Sequence, residues 1–198
     1  MHFYEPRLGH RLPHDPFNAL VAPRPIGWVS SVAADGTLNL APYSFFNAFC
    51  YTPPLIGFAS TSRKHSARNA EACGEFVWNL VTRPLLQAMN QTSTSQDVDE
   101  FASAGLTPAP SRVVSVPRVA EARVAMECRL SQVLELTGAD GSPTGAVMVF
   151  GEVVGVHIDE ELLGDGVYDT AAADPVLRGG GPSAYFTLGE RLDLRRPD

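Results

Sequence analysis

The chain is short of lysine, short of cysteine and without a long apolar run, and each shortage closes off a class of function. Lys64 is the single lysine in 198 residues, and the formal charge is −7. A phosphate backbone recruits basic faces, so nucleic acid is not the expected main partner. Cys50, Cys73 and Cys128 are odd in number, far apart and free of C-x-x-C spacing, which argues against a disulfide framework and predicts reduced, buried thiols. No stretch reaches the roughly 20 apolar residues of a membrane helix. The first fifteen residues, MHFYEPRLGHRLPHD, hold charges, prolines and histidines where a signal peptide would be apolar. A soluble cytoplasmic protein with no membrane partner is expected. Asp97-Val98-Asp99-Glu100 lacks the spaced oxygen ligands of a calcium loop, and neither a zinc set nor a Ser-His-Asp order emerges. No metal ligand and no catalytic side chain is therefore assigned.

What is present points to β structure. Hydrophobic residues make up 44% of the chain, enough for a real core, while 17 glycines and 16 prolines describe a turn-rich fold. One domain over 1–198 is expected, with residues 1–22 as an extended arm lying against it. Ile26 to Ala33, the Asp35-Gly36 turn and Thr37-Leu-Asn-Leu-Ala-Pro-Tyr-Ser-Phe-Phe-Asn-Ala-Phe49 read as a hairpin, with Pro42 confining the second strand to an edge or a bulge. Leu55–Ser60 reads as a buried strand, 63–73 as a helix opened by a Ser or Thr and stopped by Gly74, and Glu75–Val81 as a strand. Residues 84–105 suit two short helices, the second capped by Ser95 or Asp97. Val124, Met126, Cys128 and Leu130 alternate with Arg123, Glu127, Arg129 and Ser131, the period of a half-buried strand. Residues 145–158, after the Asp140-Gly141 turn, are apolar on both faces, as in a barrel strand that also meets a dimer partner.

Four segments could carry chemistry. Ser60-Thr61-Ser62-Arg63-Lys64-His65-Ser66-Ala67-Arg68-Asn69 concentrates hydroxyls and cations between a strand and a helix. Free N–H groups at a helix start, hydroxyl donors and the counter-charges Arg63 and Lys64 are what a phosphate monoester needs. The same residues would equally make an ordinary helix cap and a solvated basic face. Arg24, held between Pro23 and Pro25, could add a bidentate anion contact or be a surface residue on a stiff entry loop. In the third segment, Asn39, Tyr43, Ser44 and Asn47 interrupt an aromatic strand, a combination that suits a flat heteroaromatic ring with polar edges and also a barrel strand with satisfied polar groups. Arg178-Gly-Gly-Gly-Pro-Ser-Ala-Tyr185-Phe186 is no dinucleotide fingerprint and reads as a flexible turn beside a site. Trp28, Trp78 and His157 read as structural.

In order along the chain, PRPIGWVSSVAADGTLNLAPYSFFNAF, STSRKHSARNAEACGEFVWNLV, AMNQTS, DEFASAGLTPAPS and VAMECRL together resemble the flavin-reductase-like, FMN-binding split-barrel family. The resemblance implies a mainly β fold, a six-stranded Greek-key split barrel with flanking helices, paired as a homodimer that shapes two flavin sites. It implies FMN as cofactor and NADH or NADPH as donor, with electrons passing to an acceptor or a partner monooxygenase. An FMN oxidoreductase with its own organic substrate, or a non-catalytic electron carrier, would share the fold. By the same resemblance, Arg24 with Ser60, Thr61, Ser62, Lys64, His65, Ser66 and Asn69 would hold the phosphate. Trp28, Val29, Ser30 and Ser31 with Ser44, Phe45, Phe46 and Asn47 would line the ring and ribityl chain, and Arg178 and Tyr185 would approach from the late loop. Many relatives carry an acidic residue after the lysine, where this chain has His65.

Overall fold

The computed structural model describes residues 1–94, 96 and 98–197. Around Asp35-Gly36 the chain turns as its residues require: Gly36 takes φ +88, and the Asp35 carboxylate accepts from Thr37 N at 3.0 Å. Strands β1 (Gly27–Val32) and β2 (Leu38–Tyr43) pair across it, antiparallel. Pro42 lies opposite Trp28 on β2, which is an edge strand as expected of a residue without an N–H.

The second strand does not run on to Phe49. It breaks at Ser44-Phe45, and the continuation, β3 (Phe46–Tyr51), pairs with β4 (Pro54–Ser60). Beyond it come α1 (His65–Cys73), β5 (Glu75–Asn79), α2 (Leu86–Gln91) and α3 (Glu100–Ser103), then the long hairpin of β6 (Val124–Thr137) and β7 (Pro143–Ile158). The sheet is antiparallel in the order β2-β1-β5-β6-β7-β4-β3. One bent length of chain, 38–51, therefore supplies both edges, and counting it once gives the expected six strands in place of seven. Closure is made by side chains. Phe46 stacks on Trp78 with centroids 5.6 Å apart, and a Cβ at Gly27 would lie 2.8 Å from its ring, so β1 needs glycine where β3 crosses it. Phe58, Phe76, Val29 and Val149 fill the interior, while Trp28, Leu40, Met89 and Phe101 join β1 and β2 to α2 and α3.

Four local expectations change. Asp99 caps α3, its carboxylate accepting from Ala102 N at 3.0 Å; Ser95 and Asp97 lie outside the described residues. Cys128 is buried and burial pushes its thiol pKa up, with the Glu127 charge adding to the shift, but Cys50 and Cys73 are exposed, on edge strand β3 and at the last turn of α1. The arm is mostly exposed and includes a 3-10 turn at Pro6–Leu8 and a helical turn at Phe17–Leu20. Glu127, expected on the solvent face of β6, is wholly buried. A register shift follows it at Glu127/Cys128, and Gly155 opposite leaves it room, since a Cβ there would lie 3.3 Å from its carboxyl carbon.

The buried Glu127 carboxylate folds the 112–114 loop onto the barrel. It accepts from Arg112 N at 2.7 Å, Val113 N at 2.6 Å and Val114 N at 2.9 Å, and it also meets the His157 ring. Burial alone would raise its pKa; the Arg112 N–H, the His157 ring and the Val113 and Val114 N–H groups together outweigh that and hold it at about 2.

Arg24 plays the corresponding part at the barrel corner. It is 8% exposed; its Nε donates to Ser44 O at 3.0 Å, one terminal nitrogen to Gly179 O at 3.2 Å, and the other to the carbonyls of Asn18 and Val21. Its backbone also bridges Arg178, N to O at 2.9 Å and O from N at 2.8 Å. One guanidinium thus joins the arm, the β2–β3 corner and the late glycine loop. Burial and the like charge of Arg178 lower its pKa from the ordinary value.

Two outcomes follow. Because the folded pKa of Glu127 lies below its ordinary 4.5, its stabilising contribution is complete above that value and drains as pH falls toward about 2. Glu127→Gln should lose on the order of 3 kcal/mol at neutral pH, and urea titrations should show the gap from wild type closing as the pH is lowered through that window. Arg24→Met keeps the aliphatic stem and abandons four carbonyls; we expect a loss of roughly 2–4 kcal/mol and faster proteolysis within residues 1–22, read by thermal melting and limited digestion.

Candidate functional site

Helix α1 starts at His65 rather than Arg63. Lys64 occupies the cap position with extended backbone, and no side chain bonds the first turn. None of the serines and threonines before it caps the helix, so N–H groups of the first turn are left for another acceptor. The helix ends as expected at Gly74, with φ +74 and its N–H on Ala70 O. A cavity of about 390 Å³ opens at this N-terminus, lined by Lys64, His65, Ser66, Arg63 and Arg68 on one side and by Asn39, Ala41, Tyr43, Thr94, Gln96 and Glu100 on the other.

Beneath the cavity the polar groups are organised before any ligand arrives. Asn39 donates to Ser66 Oγ at 2.9 Å and, at 3.4 Å, to Ser31 Oγ, which also receives Asn69 Nδ2 at 3.2 Å. Ser60 Oγ is buried and makes no hydrogen bond of good geometry. Burial lifts the Tyr43 phenol above its ordinary pKa, against the pull of the nearby Ser66 and Ser60 hydroxyls and with a small push from Glu100. An unpartnered hydroxyl, an uncapped helix start and a lysine without an ion pair among the described residues make a donor set that fits an anion.

The expected site residues divide. Lys64, His65 and Ser66 line the cavity, with Ser60 and Asn69 buried behind them. Thr61 and Ser62 are exposed on the approach and do not line it. Arg63 reaches the rim, but its guanidinium is committed to Glu71 and, at 3.0 Å, to Glu135. Arg24 is absent from this cavity and its donors serve carbonyls, so a phosphate contact would require them to be released. Trp28, Val29, Ser30 and Ser31 are wholly buried and line no described cavity. Trp28 Nε1 donates to Thr92 Oγ1 at 3.0 Å and Ser30 Oγ to Pro117 O at 2.6 Å, so their polar groups are committed inside the protein.

Ser44 lines a smaller neighbouring cavity of about 140 Å³ together with Tyr43, Arg178 and Tyr185. Tyr43 is common to both cavities. The glycine loop is braced rather than loose. Arg178 donates to the carbonyls of Ala184 at 2.6 Å, Gly181 at 2.8 Å and Pro182 at 3.0 Å, and lies 4.8 Å over the Tyr185 ring. Tyr185 donates to Asn90 Oδ1 at 3.3 Å. A short strand, Val176–Arg178, precedes the loop and pairs with Tyr185–Thr187. Phe45, Phe46 and Asn47 face an apolar groove of about 660 Å³ with Val21, Met148 and Phe150.

Sequence reasoning placed Arg68 in the cationic segment without giving it a role, and passed over Thr94, Gln96 and Glu100 as lining residues. Glu100 is 7% exposed, its Oε2 accepting from Leu40 N at 3.3 Å. Burial raises its pKa, with the Leu40 N–H and the charge of His65 opposing and Asp99 adding. The one signal was its place in Asp97-Val98-Asp99-Glu100, weighed only against a calcium loop and set aside.

The flavin reductase like domain matches residues 20–176. The structure of nitrilotriacetate monooxygenase component B from Bacillus cereus is similar with a TM-score of 0.88 and 35% identity, covering 98% of each chain. The 2-nitrobenzoate 2-nitroreductase of Pseudomonas fluorescens gives 0.81 and 31%, over 91% of this chain and 88% of that one. A protein of Shewanella frigidimarina, described as a flavin reductase with a split barrel domain, gives 0.86 and 26% over 100% of both. With a matching domain across most of its length and the same barrel, the chain belongs to the flavin reductase-like family.

Proposed function

We propose that this chain, as one domain, is an FMN-binding oxidoreductase in which NADH or NADPH reduces the flavin and electrons pass on to a partner monooxygenase or another acceptor. The observation that carries the reading is the uncapped start of α1 with Lys64, His65 and Ser66 around a 390 Å³ cavity. The likeness to a monooxygenase component supports the partner. The likeness to a nitroreductase supports the second reading, an FMN enzyme with its own organic substrate.

Bound FMN would supply the redox chemistry, taking hydride from a nicotinamide donor and releasing electrons. The protein would supply binding and placement. Lys64 and the first-turn N–H groups would take the phosphate, with the Ser66 and Ser60 hydroxyls as further donors. Ser44 would meet a polar edge of the ring, and Arg178 and Tyr185 would border the smaller cavity. The buried network of Asn39, Ser31 and Asn69 would keep these donors in place without further ordering, and the braced glycine loop would limit water on that side.

A homodimer is part of the reading. The apolar groove holds Phe45, Phe49 and Leu134 at 39%, 53% and 51% exposure, a surface suited to a second copy. A cytoplasmic setting accords with the free thiols, and no described helix is long and apolar enough to cross a membrane.

Anaerobic titration with NADH and with NADPH should bleach the bound flavin without added substrate; no bleaching by either would refute the reductase and favour the second reading. Lys64→Ala with Ser66→Ala should weaken FMN by roughly tenfold or more and leave riboflavin, which lacks the phosphate, nearly unchanged. Equal loss of both would remove the phosphate assignment. Sedimentation at micromolar concentration should find a dimer.

A further inference from the structure

Among the described residues, the cavity lined by these cations also contains one carboxylate, and its position is hard to reconcile with a simple anion hole. Glu100 enters from α3 and faces Lys64, His65 and Arg68 of the α1 start across the space. Arg63 is neutralised by Glu71 and Glu135, which leaves Glu100, among the described residues, as the counter-charge of the remaining cations at the cavity. It is fixed there: 7% exposed, with Oε2 tied to the backbone of β2 through Leu40 N, and with no partner for Oε1 among the described residues. A phosphate dianion in this volume would meet a fixed negative charge a few ångströms away, a repulsion that partial burial strengthens.

We propose that Glu100 makes the cavity take a phosphate monoester together with one proton, shared between the carboxyl group and a phosphate oxygen. The inference rests on the phosphate reading of this cavity and adds its selectivity. In the free protein the carboxylate balances Lys64 and His65. When the monoester enters, one proton from solvent joins the pair, the like-charge repulsion becomes a hydrogen bond, and no other bond changes. The groups facing Glu100 are consistent with this. Asp99 lies beside it on its own element and disfavours its negative charge, His65 on α1 favours the carboxylate form until the ligand arrives, and the Tyr43 phenol on β2 is kept neutral in part by the Glu100 charge. Burial raises the pKa of Glu100, the same direction in which an incoming phosphate dianion would push it. An oxyanion that holds no proton near neutrality would find the carboxylate unprotonated. The cavity therefore selects phosphate monoesters over sulfate.

Calorimetry of FMN binding near pH 7.5, in two buffers of different ionisation enthalpy, counts the protons. A phosphate with its second pKa at about 6 is then almost wholly dianionic when free, so wild type should take up about one proton. Glu100→Gln keeps a carbonyl oxygen for Leu40 N; it should abolish the uptake, bind FMN about fivefold to tenfold tighter at this pH and leave riboflavin unchanged. His65→Gln should retain the uptake. Inorganic phosphate should displace FMN from wild type at concentrations where sulfate does not, and the two should converge in Glu100→Gln. Absence of uptake in wild type, equal competition by the two ions in wild type, or uptake lost in His65→Gln but kept in Glu100→Gln overturns the proposal. Wild-type measurements alone decide the first two if the variant fails to fold. If wild type binds FMN and riboflavin equally, the phosphate reading itself fails; if it prefers FMN and takes up no proton, only this inference does.

Discussion

The hydrogen bond from Arg24 Nε to the carbonyl of Ser44 sits where the barrel is made. Residues 38–51 must leave one edge of the sheet and arrive at the other, and Ser44-Phe45 is the corner. A corner of this kind exposes carbonyls that no ladder can satisfy, and a buried guanidinium with donors in a fixed fork can serve several at once. Through the same side chain the corner is tied to Asn18, Val21 and Gly179, so the arm and the glycine loop are positioned by barrel closure. Ser44, Tyr43 and Tyr185 come together around one cavity for that reason.

The site inherits its electrostatics from scarcity. In an acidic chain the α1 start gathers Arg63, Lys64, His65 and Arg68, yet they are not equivalent. Arg63 spans two carboxylates from different elements, Glu71 and Glu135, and so stitches α1 to β6, an exposed arrangement worth little in stability but effective in fixing where the helix begins. Lys64 is left to face the cavity. Glu127 and Glu100 show the same contrast among acids. Glu127 is surrounded by donors and its pKa is held at about 2, whereas Glu100 has only the Leu40 N–H and its own, and burial pushes its pKa the other way.

Much of the fold was legible because it is local. Asp35-Gly36 and Asp140-Gly141 mark hairpins through backbone conformations that glycine alone adopts cheaply, Gly74 ends α1, and the ordered motifs named the family. The corner at Ser44-Phe45 was not legible: Pro42 signals an edge, but both halves keep strand composition, and only the Phe46–Trp78 contact across the barrel decides that the chain changes partners. Glu127 was misplaced because a register shift defeats a period-2 reading. In the site, Lys64, His65 and Ser66 could be chosen from chemistry, since hydroxyls and cations beside a helix start have few other uses. That Arg24 and Arg63 are drawn off to carbonyls and carboxylates depends in part on residues far away in sequence, Ser44 and Gly179 for the one and Glu135 for the other, and so does the arrival of Glu100.

The lone lysine has a practical meaning beyond its charge. Lys64 is the only lysine of this sequence, and it lines the cavity. Amine-directed acylation therefore has one side chain to address, and the extent of its modification is a direct reporter of whether the cavity is filled.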